Sequence, residues 1–249
     1  LRFGEAEVET ERAAMGRRDY DAQFQQDPTS GGGLIFKRTW WRQWCFPEGH
    51  KSAGKEIEMP QFIDVVSAYD TAFETNEDND FSARLTFALF MYSDNPKQPA
   101  KVNAMLIERF NEKVEFPDLK KEAKQHQLFF SPTVTLIERK ASGHSLIQEM
   151  TRAGIKVMGV NPGTKDKVFR ANMVQQVLKD GLIWYVPRPW AYEVINQCAK
   201  FPMAENDDMV DCFVMCLAYI RRLGMVALED DEKPNEMNLF AQPKRQRFY

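Results

Sequence analysis

The stretch Gln61–Phe73, QFIDVVSAYDTAF, constrains the chain more than any other. Its run from Phe62 to Tyr69 is short, rich in β-branched and aromatic residues, and preceded by Pro60, so it reads as a strand entering a core. The run ends on a carboxylate, Asp70. An acid at the end of a buried strand is held rigidly at the rim of a sheet, within reach of a metal ion or a substrate. Strands also end on solvated aspartates, so Asp70 gains meaning only if other acids converge on it.

The pattern beyond Asp70 predicts strands first and helices after. Phe81–Tyr92 and Val102–Phe110 read as a second and a third strand, and Phe116–Leu128 as a helix with Pro117 in its first turn. Pro132–Glu138 is a fourth strand that again ends on an acid, followed by a helix over Ser142–Ala153 that closes at Gly154. A short strand at Ile155–Val160 leads to a helix over Asp166–Lys179 and an extended run at Leu182–Val186. Helices at Ala191–Lys200 and Asp207–Leu223 complete the pattern, with Asn206 placed to cap the last. This order predicts an α/β layered domain with hairpin-linked antiparallel strands first, parallel strands after them and helices on both faces. The polar loop at 74–80 lacks the glycine and terminal Glu of a calcium-binding loop and reads as a solvated turn.

The flanks look different. A charged helix is expected over Glu5–Met15 and a flexible joint over Thr29–Gly33. Leu34–Phe46 interleaves Trp40, Trp41 and Trp44 with Lys37, Arg38 and Arg42, a pattern that suits stacking on bases but ordinarily packs on a neighbouring domain. The expected division is a linker segment over 1–60, the main domain over 61–226 and a mobile charged tail over 227–249. The start at Leu1 rather than Met suggests a piece of a longer protein.

Composition narrows the function. With 33 Lys and Arg against 36 Asp and Glu, the net charge of −3 gives no global basic signature, so nucleic-acid contacts must come from local patches. No apolar run approaches the length of a transmembrane helix, and no signal peptide opens the chain. Cys45, Cys198, Cys212 and Cys216 lack the usual zinc partners and read as core thiols in a reducing cytosol; the three His residues are scattered.

Three sources of acid remain. Asp70 and Glu138 each end a predicted strand, and in an open α/β sheet ligands bind beyond those ends. The third source is Asp207-Asp208-Met209-Val210-Asp211, where 208 and 211 share a helix face, as do 207 and 211. Asp207 and Asp208 suit the dipole of a helix start. Asp211 interrupts an apolar face, and a carboxylate there needs a partner or a metal. Carboxylates grouped without His or Cys favour a hard divalent cation, Mg²⁺ or Mn²⁺. Two such ions about 4 Å apart activate a water and stabilise the leaving oxygen in phosphodiester cleavage. Spacing alone leaves open whether the acids meet in this way or lie scattered on the surface.

Several segments, in order, resemble the C-terminal nuclease domain of the large terminase subunit of tailed bacteriophages. Tyr20–Pro28, followed by glycines and the Trp-rich run, is similar to the segment that leaves the ATPase domain in that family. Tyr69–Phe73 with Asp80–Ala83 resembles its first acidic motif and second strand, and Leu136–Gly143 its second acidic motif. Lys167–Ala171 resembles the basic helix start and Asp207–Asp211 the third acidic motif. The resemblance implies a ribonuclease H-like fold and metal-dependent cutting of double-stranded DNA, separating the packaged genome from its concatemer. By position it makes Asp70 the bridging metal ligand and Glu138 the second, with two Mg²⁺ or Mn²⁺ ions as cofactors. For the third ligand, Asp208 and Asp211 rank together and Asp207 below them. Arg139 stands where the family usually has an Asp.

The resemblance also implies an ATPase domain in the full-length protein, and partners in the portal protein, the procapsid and the small terminase subunit, in the host cytoplasm. This chain has no G-x-x-x-x-G-K-[ST] sequence, so no ATP hydrolysis is expected of it. Lys140, Lys165, Lys167 and Arg170 fall near the sheet's C-terminal edge, where DNA phosphates would approach, although an ordinary solvated cation fits each position as well. Other readings are a resolvase or transposase core, and a DNA clamp or portal-docking module that does not cut. DNA binding by the acidic chain is expected to be weak, salt-sensitive and largely independent of sequence.

Overall fold

The computed structural model describes residues 35–45, 58–71, 81–161, 166–204 and 206–224. The expected helix at 5–15, the joint at 29–33, the loop at 74–80, Lys165 and the charged tail lie outside them. A seven-stranded sheet carries the fold, in the order β1-β7-β4-β3-β2-β5-β6. Its strands are β1 (Arg42–Gln43), β2 (Phe62–Asp70), β3 (Ser82–Tyr92), β4 (Lys101–Glu112), β5 (Val134–Glu138), β6 (Val157–Val160) and β7 (Ile183–Tyr185). β2, β3 and β4 form an antiparallel meander. β5 runs parallel to β2 and β6 parallel to β5, while β7 adds in parallel to β4 and β1 to β7.

β3 is central and buried along most of its length, and its sequence SARLTFALFMY is correspondingly rich in apolar residues. Alternation along the strands sends two sets of side chains to opposite faces. Val66, Ala68, Leu85, Phe87, Leu106, Val134 and Leu136 meet helices α3 (Lys167–Lys179), α4 (Pro189–Lys200) and α5 (Asp208–Arg222). Tyr69 and Ile137 turn the other way, onto α1 (Phe116–Phe130) and α2 (Ala141–Arg152). Helices therefore cover both faces, as expected for a ribonuclease H-like layering.

Residues 35–45 pack against the sheet and its helices. They fall inside the span read as linker, yet Ile35, Phe36 and Trp41 belong to the main core. Phe213 of α5 meets Phe36 edge-on at 5.2 Å and stacks on Trp41 at 5.0 Å, contacts worth about 0.5–1.5 kcal/mol each beyond their burial. Trp44 packs with Phe90 and Trp184. Two of the three tryptophans are therefore core residues of this domain and present no face to bases. The two-residue strand between them is held by β7.

α5 also begins differently from its expected cap. Its N-cap residue is Asp207, and no side-chain cap bond is made from that position. Gln197 of α4 supplies the bond instead, its Oε1 accepting from the Met209 backbone N–H at 3.0 Å. An orphan amide of the first turn is thus satisfied across a helix–helix contact.

A bulge in β4 shapes the face toward α1. Thr86 pairs with Glu108 and Phe87 with Leu106, so Ile107 is the extra residue. It turns Glu108 to the face opposite Leu106, where Glu108 accepts from Arg84 through both carboxylate oxygens, at 3.1 and 2.7 Å. Arg84 also donates to Tyr69 Oη and to Glu122, and Thr86 Oγ1 lies 2.8 Å from His126 Nε2. This polar network lies directly beneath the end of β2.

Candidate metal centre

β2 and β5 are parallel neighbours in register, Ala68 with Leu136 and Tyr69 with Ile137. The next position on each strand is an acid, and alternation sends both to the α5 face. Asp70 and Glu138 therefore stand side by side at the C-terminal rim of the sheet, 3% and 2% exposed. α5 supplies the third carboxylate. Cys212 Sγ lies 3.5 Å from the Ala83 carbonyl oxygen and Cys216 Sγ 3.9 Å from that of Leu85. Ala83 pairs with Asp70, so the first turn of α5 sits over the rim and delivers Asp211, 4% exposed. Carboxylate oxygens of Asp70, Glu138 and Asp211 all lie within 4.8 Å of one another.

Two ammonium groups reach into this group. Lys140, just beyond β5, places Nζ 3.0 and 3.2 Å from the two Asp70 oxygens and 2.6 Å from Glu138 Oε2. Lys167, the first residue of α3, places Nζ 2.8 Å from Asp207 Oδ2 and 2.7 Å from Asp211 Oδ2. Arg170, one turn along α3, brings NH2 to 3.8 Å from Asp211 Oδ1 and is itself 5% exposed. Lys140 and Lys167 stay half-exposed, with side chains 44% and 38% accessible. The three described cations expected to face phosphate are thus turned toward the acids.

Burial pushes Asp70 well above the usual carboxylate range; the Lys140 ammonium pulls it back, while Glu138 and Asp211 push it further up. Asp211 is raised by the same burial, against Lys167 and with help from Glu138 and Asp207. Burial also raises Asp208, with Asp207 adding to it. For Lys140, burial pulls down, but Asp70 and Glu138 outweigh it and hold the ammonium above its ordinary value. Asp208 is half-buried and stands outside the three-acid group, while Asp207 is engaged with Lys167.

The donor set fits a hard divalent cation. It is all carboxylate oxygen, drawn from three separate elements. Glu138 Oε2 and Asp211 Oδ2 are buried and lack a hydrogen bond of acceptable geometry, although each lies within ion-pair distance of a lysine. Buried anionic oxygens left in this condition are costly, and a metal ion satisfies them.

Two features of the site left no pattern in the sequence. A Cβ on Gly143, in the first turn of α2, would stand 1.9 Å from the Glu138 carbonyl oxygen. Glycine here lets the helix press against the end of β5 and so fixes the Glu138 backbone. Arg139 lies across Gly159 of β6, where a Cβ would meet its Nε at 2.3 Å. The Arg in place of the family's usual Asp is thus accommodated on the face away from Glu138.

Comparisons with known proteins bear on the family and the fold. A family model described as the terminase RNaseH-like domain matches residues 67–220, a span that contains Asp70, Glu138, Asp211, Lys140 and Lys167. No curated protein matches the chain. Among solved structures, the large terminase nuclease from thermophilic phage G20c with bound cobalt is 10% identical, with a TM-score of 0.50, covering 76% of this chain and 98% of that one. The same nuclease with bound magnesium is 10% identical, with a TM-score of 0.49 and the same coverage. The HK97 bacteriophage large terminase is 10% identical, with a TM-score of 0.48, covering 86% of this chain and 50% of that one. The first of these supports the fold, and identities so low speak to nothing finer.

Proposed function

The chain belongs to the terminase RNaseH-like domain family, and from that premise we propose that it is a metal-dependent endonuclease that cuts double-stranded DNA concatemers during viral genome packaging. The observation that carries this reading is the meeting of Asp70, Glu138 and Asp211, each buried and each from a different element. Asp70 and Glu138 are the primary ligands and Asp211 the third, with Asp208 and Asp207 at the margin of the site. The cofactor is two Mg²⁺ or Mn²⁺ ions, which when bound activate a water and stabilise the leaving oxygen. The chain's own residues hold this arrangement rigid: strand register fixes Asp70 against Glu138, and α5 packed over β2 and β3 fixes Asp211.

DNA is the substrate and is delivered by the rest of the packaging assembly. The ATPase domain of the full-length protein, the small terminase subunit and the portal with its procapsid are the expected partners, in the cytoplasm of the infected host. Among the described residues no helix is long and apolar enough to cross a membrane. Contact with the sugar-phosphate backbone falls to Lys140, Lys165 and Lys167, which gives salt-sensitive binding with little sequence preference.

The test is conversion of supercoiled plasmid to nicked and linear forms in Mn²⁺ or Mg²⁺, by the wild-type chain and by Asp70→Ala. Cutting by the wild type and none by the variant is expected. Equal cutting by both removes Asp70 from the mechanism. DNA binding without cutting, at every divalent concentration, favours a clamp in place of a nuclease.

A further inference from the structure

Lys140 and Lys167 occupy the ground that a metal ion needs. Each Nζ bridges two carboxylates, Lys140 those of Asp70 and Glu138, and Lys167 those of Asp207 and Asp211. Their contacts run from 2.6 to 3.2 Å. A small divalent ion binds oxygen at about 2.0–2.1 Å and repels a neighbouring ammonium strongly where water is scarce. Sharing these oxygens between the two cations is therefore costly.

The two lysines are also built to leave. Each is a compact charge on a flexible four-carbon stem, and both are half-exposed. Lys140 donates directed hydrogen bonds only to Asp70 and Lys167 only to Asp207, while Glu138 Oε2 and Asp211 Oδ2 lack one, so each lysine holds its second carboxylate by charge alone. Arg170 contrasts with them: it is buried, with NH2 3.8 Å from Asp211 Oδ1.

We infer that Lys140 and Lys167 are exchangeable counter-cations, which neutralise the acids until divalent ions load and then swing outward onto the DNA phosphates. The inference rests on the metal-centre reading above and assigns the lysines two successive partners. Metal loading and DNA engagement are then linked, because the ions that enter the site release the cations that grip the backbone.

Isothermal titration of the full chain with Mn²⁺ alone, without DNA, separates the possibilities. Lys140→Met and Lys167→Met are each expected to bind Mn²⁺ several-fold more tightly than wild type, because no ammonium has to be displaced. Lys140→Arg, which keeps the charge, is expected to gain nothing. Duplex oligonucleotide binding in Ca²⁺, over a series of salt concentrations, then reads the second partner. The slope of log affinity against log salt is expected to fall by about 0.9 for each lysine removed. Unchanged or weaker Mn²⁺ binding by both Met variants overturns the exchange, while Mn²⁺ binding by the wild type keeps the metal-centre reading intact. A wild-type chain that binds no Mn²⁺ overturns both. Tighter Mn²⁺ binding with an unchanged salt slope overturns the phosphate step.

Discussion

Replacing Gly143 with Ala puts the positioning of Glu138 to a direct test. The new Cβ would stand 1.9 Å from the Glu138 carbonyl oxygen, 3.1 Å from its carbon and 3.3 Å from Ile137 Cγ2, where ordinary contact begins at 3.4 Å. The obstacle is backbone, so it cannot rotate away. The start of α2 and the end of β5 must part by about 1.5 Å, the difference between the first and last of those distances. Overpacking of this kind costs about 1–3 kcal/mol, and at about 2–4 °C per kcal/mol for a chain of this size the melting temperature should fall by roughly 2–12 °C.

The larger effect should be on metal binding. Metal sites tolerate only about ±0.2 Å in ligand distance, and loss of a group that orients a ligand typically costs about 10–100-fold in affinity. Titration with Mn²⁺ should therefore show that loss in Gly143→Ala. Gly154→Ala is the control: Gly154 has φ +77° with nothing within 4 Å of a Cβ, so Ala there is strained but far from Glu138. It should lose about 1–2 kcal/mol of stability and keep wild-type Mn²⁺ affinity. Wild-type affinity in Gly143→Ala, or equal losses in the two variants, refutes the reasoning.

Other outcomes follow from the buried charges. Asp70→Asn should raise the melting temperature in EDTA at pH 7 while abolishing any Mn²⁺-induced stabilisation. The folded-state pKa of Asp70 is raised, so its ionised form costs stability above the ordinary carboxylate range, at about 1.4 kcal/mol for each tenfold gain in proton affinity on folding; a lower melting temperature would contradict this. His126 carries the opposite sign. Burial, then Arg84, lowers it to about 3, so its contribution is complete above pH 6.5 and is lost as pH falls toward 3. Urea melts at pH 7 and pH 5 should show the wild type losing up to about 2 kcal/mol more than His126→Gln, and parallel losses would remove His126 from the account. Arg84→Met leaves Glu108 without its buried partner and should cost about 3–5 kcal/mol by the same melts; a cost near zero would show that solvent reaches Glu108.

Asp70 and Glu138 were legible because each closes an apolar β run, and the pairing of their strands follows from ordinary α/β connectivity. Asp211 was legible as an acid breaking an apolar helix face, but the family resemblance ranked Asp208 together with it. The structure separates them through the seating of α5 on β3, a tertiary contact made by Cys212 and Cys216. Lys140 and Lys167 were visible as cations near the rim, yet nothing local shows that they turn inward, because that direction depends on acids distant in the chain. β1 escaped notice because two residues carry no period, and the tryptophans flanking it suited bases as well as a neighbouring domain. Glu108 was hidden by the bulge, since simple alternation with Leu106 assigns it to the wrong face. Gln197 could not have been chosen over Asn206 as the cap without knowing how α4 meets α5.

The central claim is that Asp70, Glu138 and Asp211 together hold divalent metal. Anomalous diffraction from a crystal soaked in Mn²⁺ tests it most directly. The account predicts strong peaks within bonding distance of carboxylate oxygens from all three residues, one of them shared by Asp70 and Glu138. Peaks confined to Asp207 and Asp208, or none among the three buried acids at saturating Mn²⁺, would contradict it.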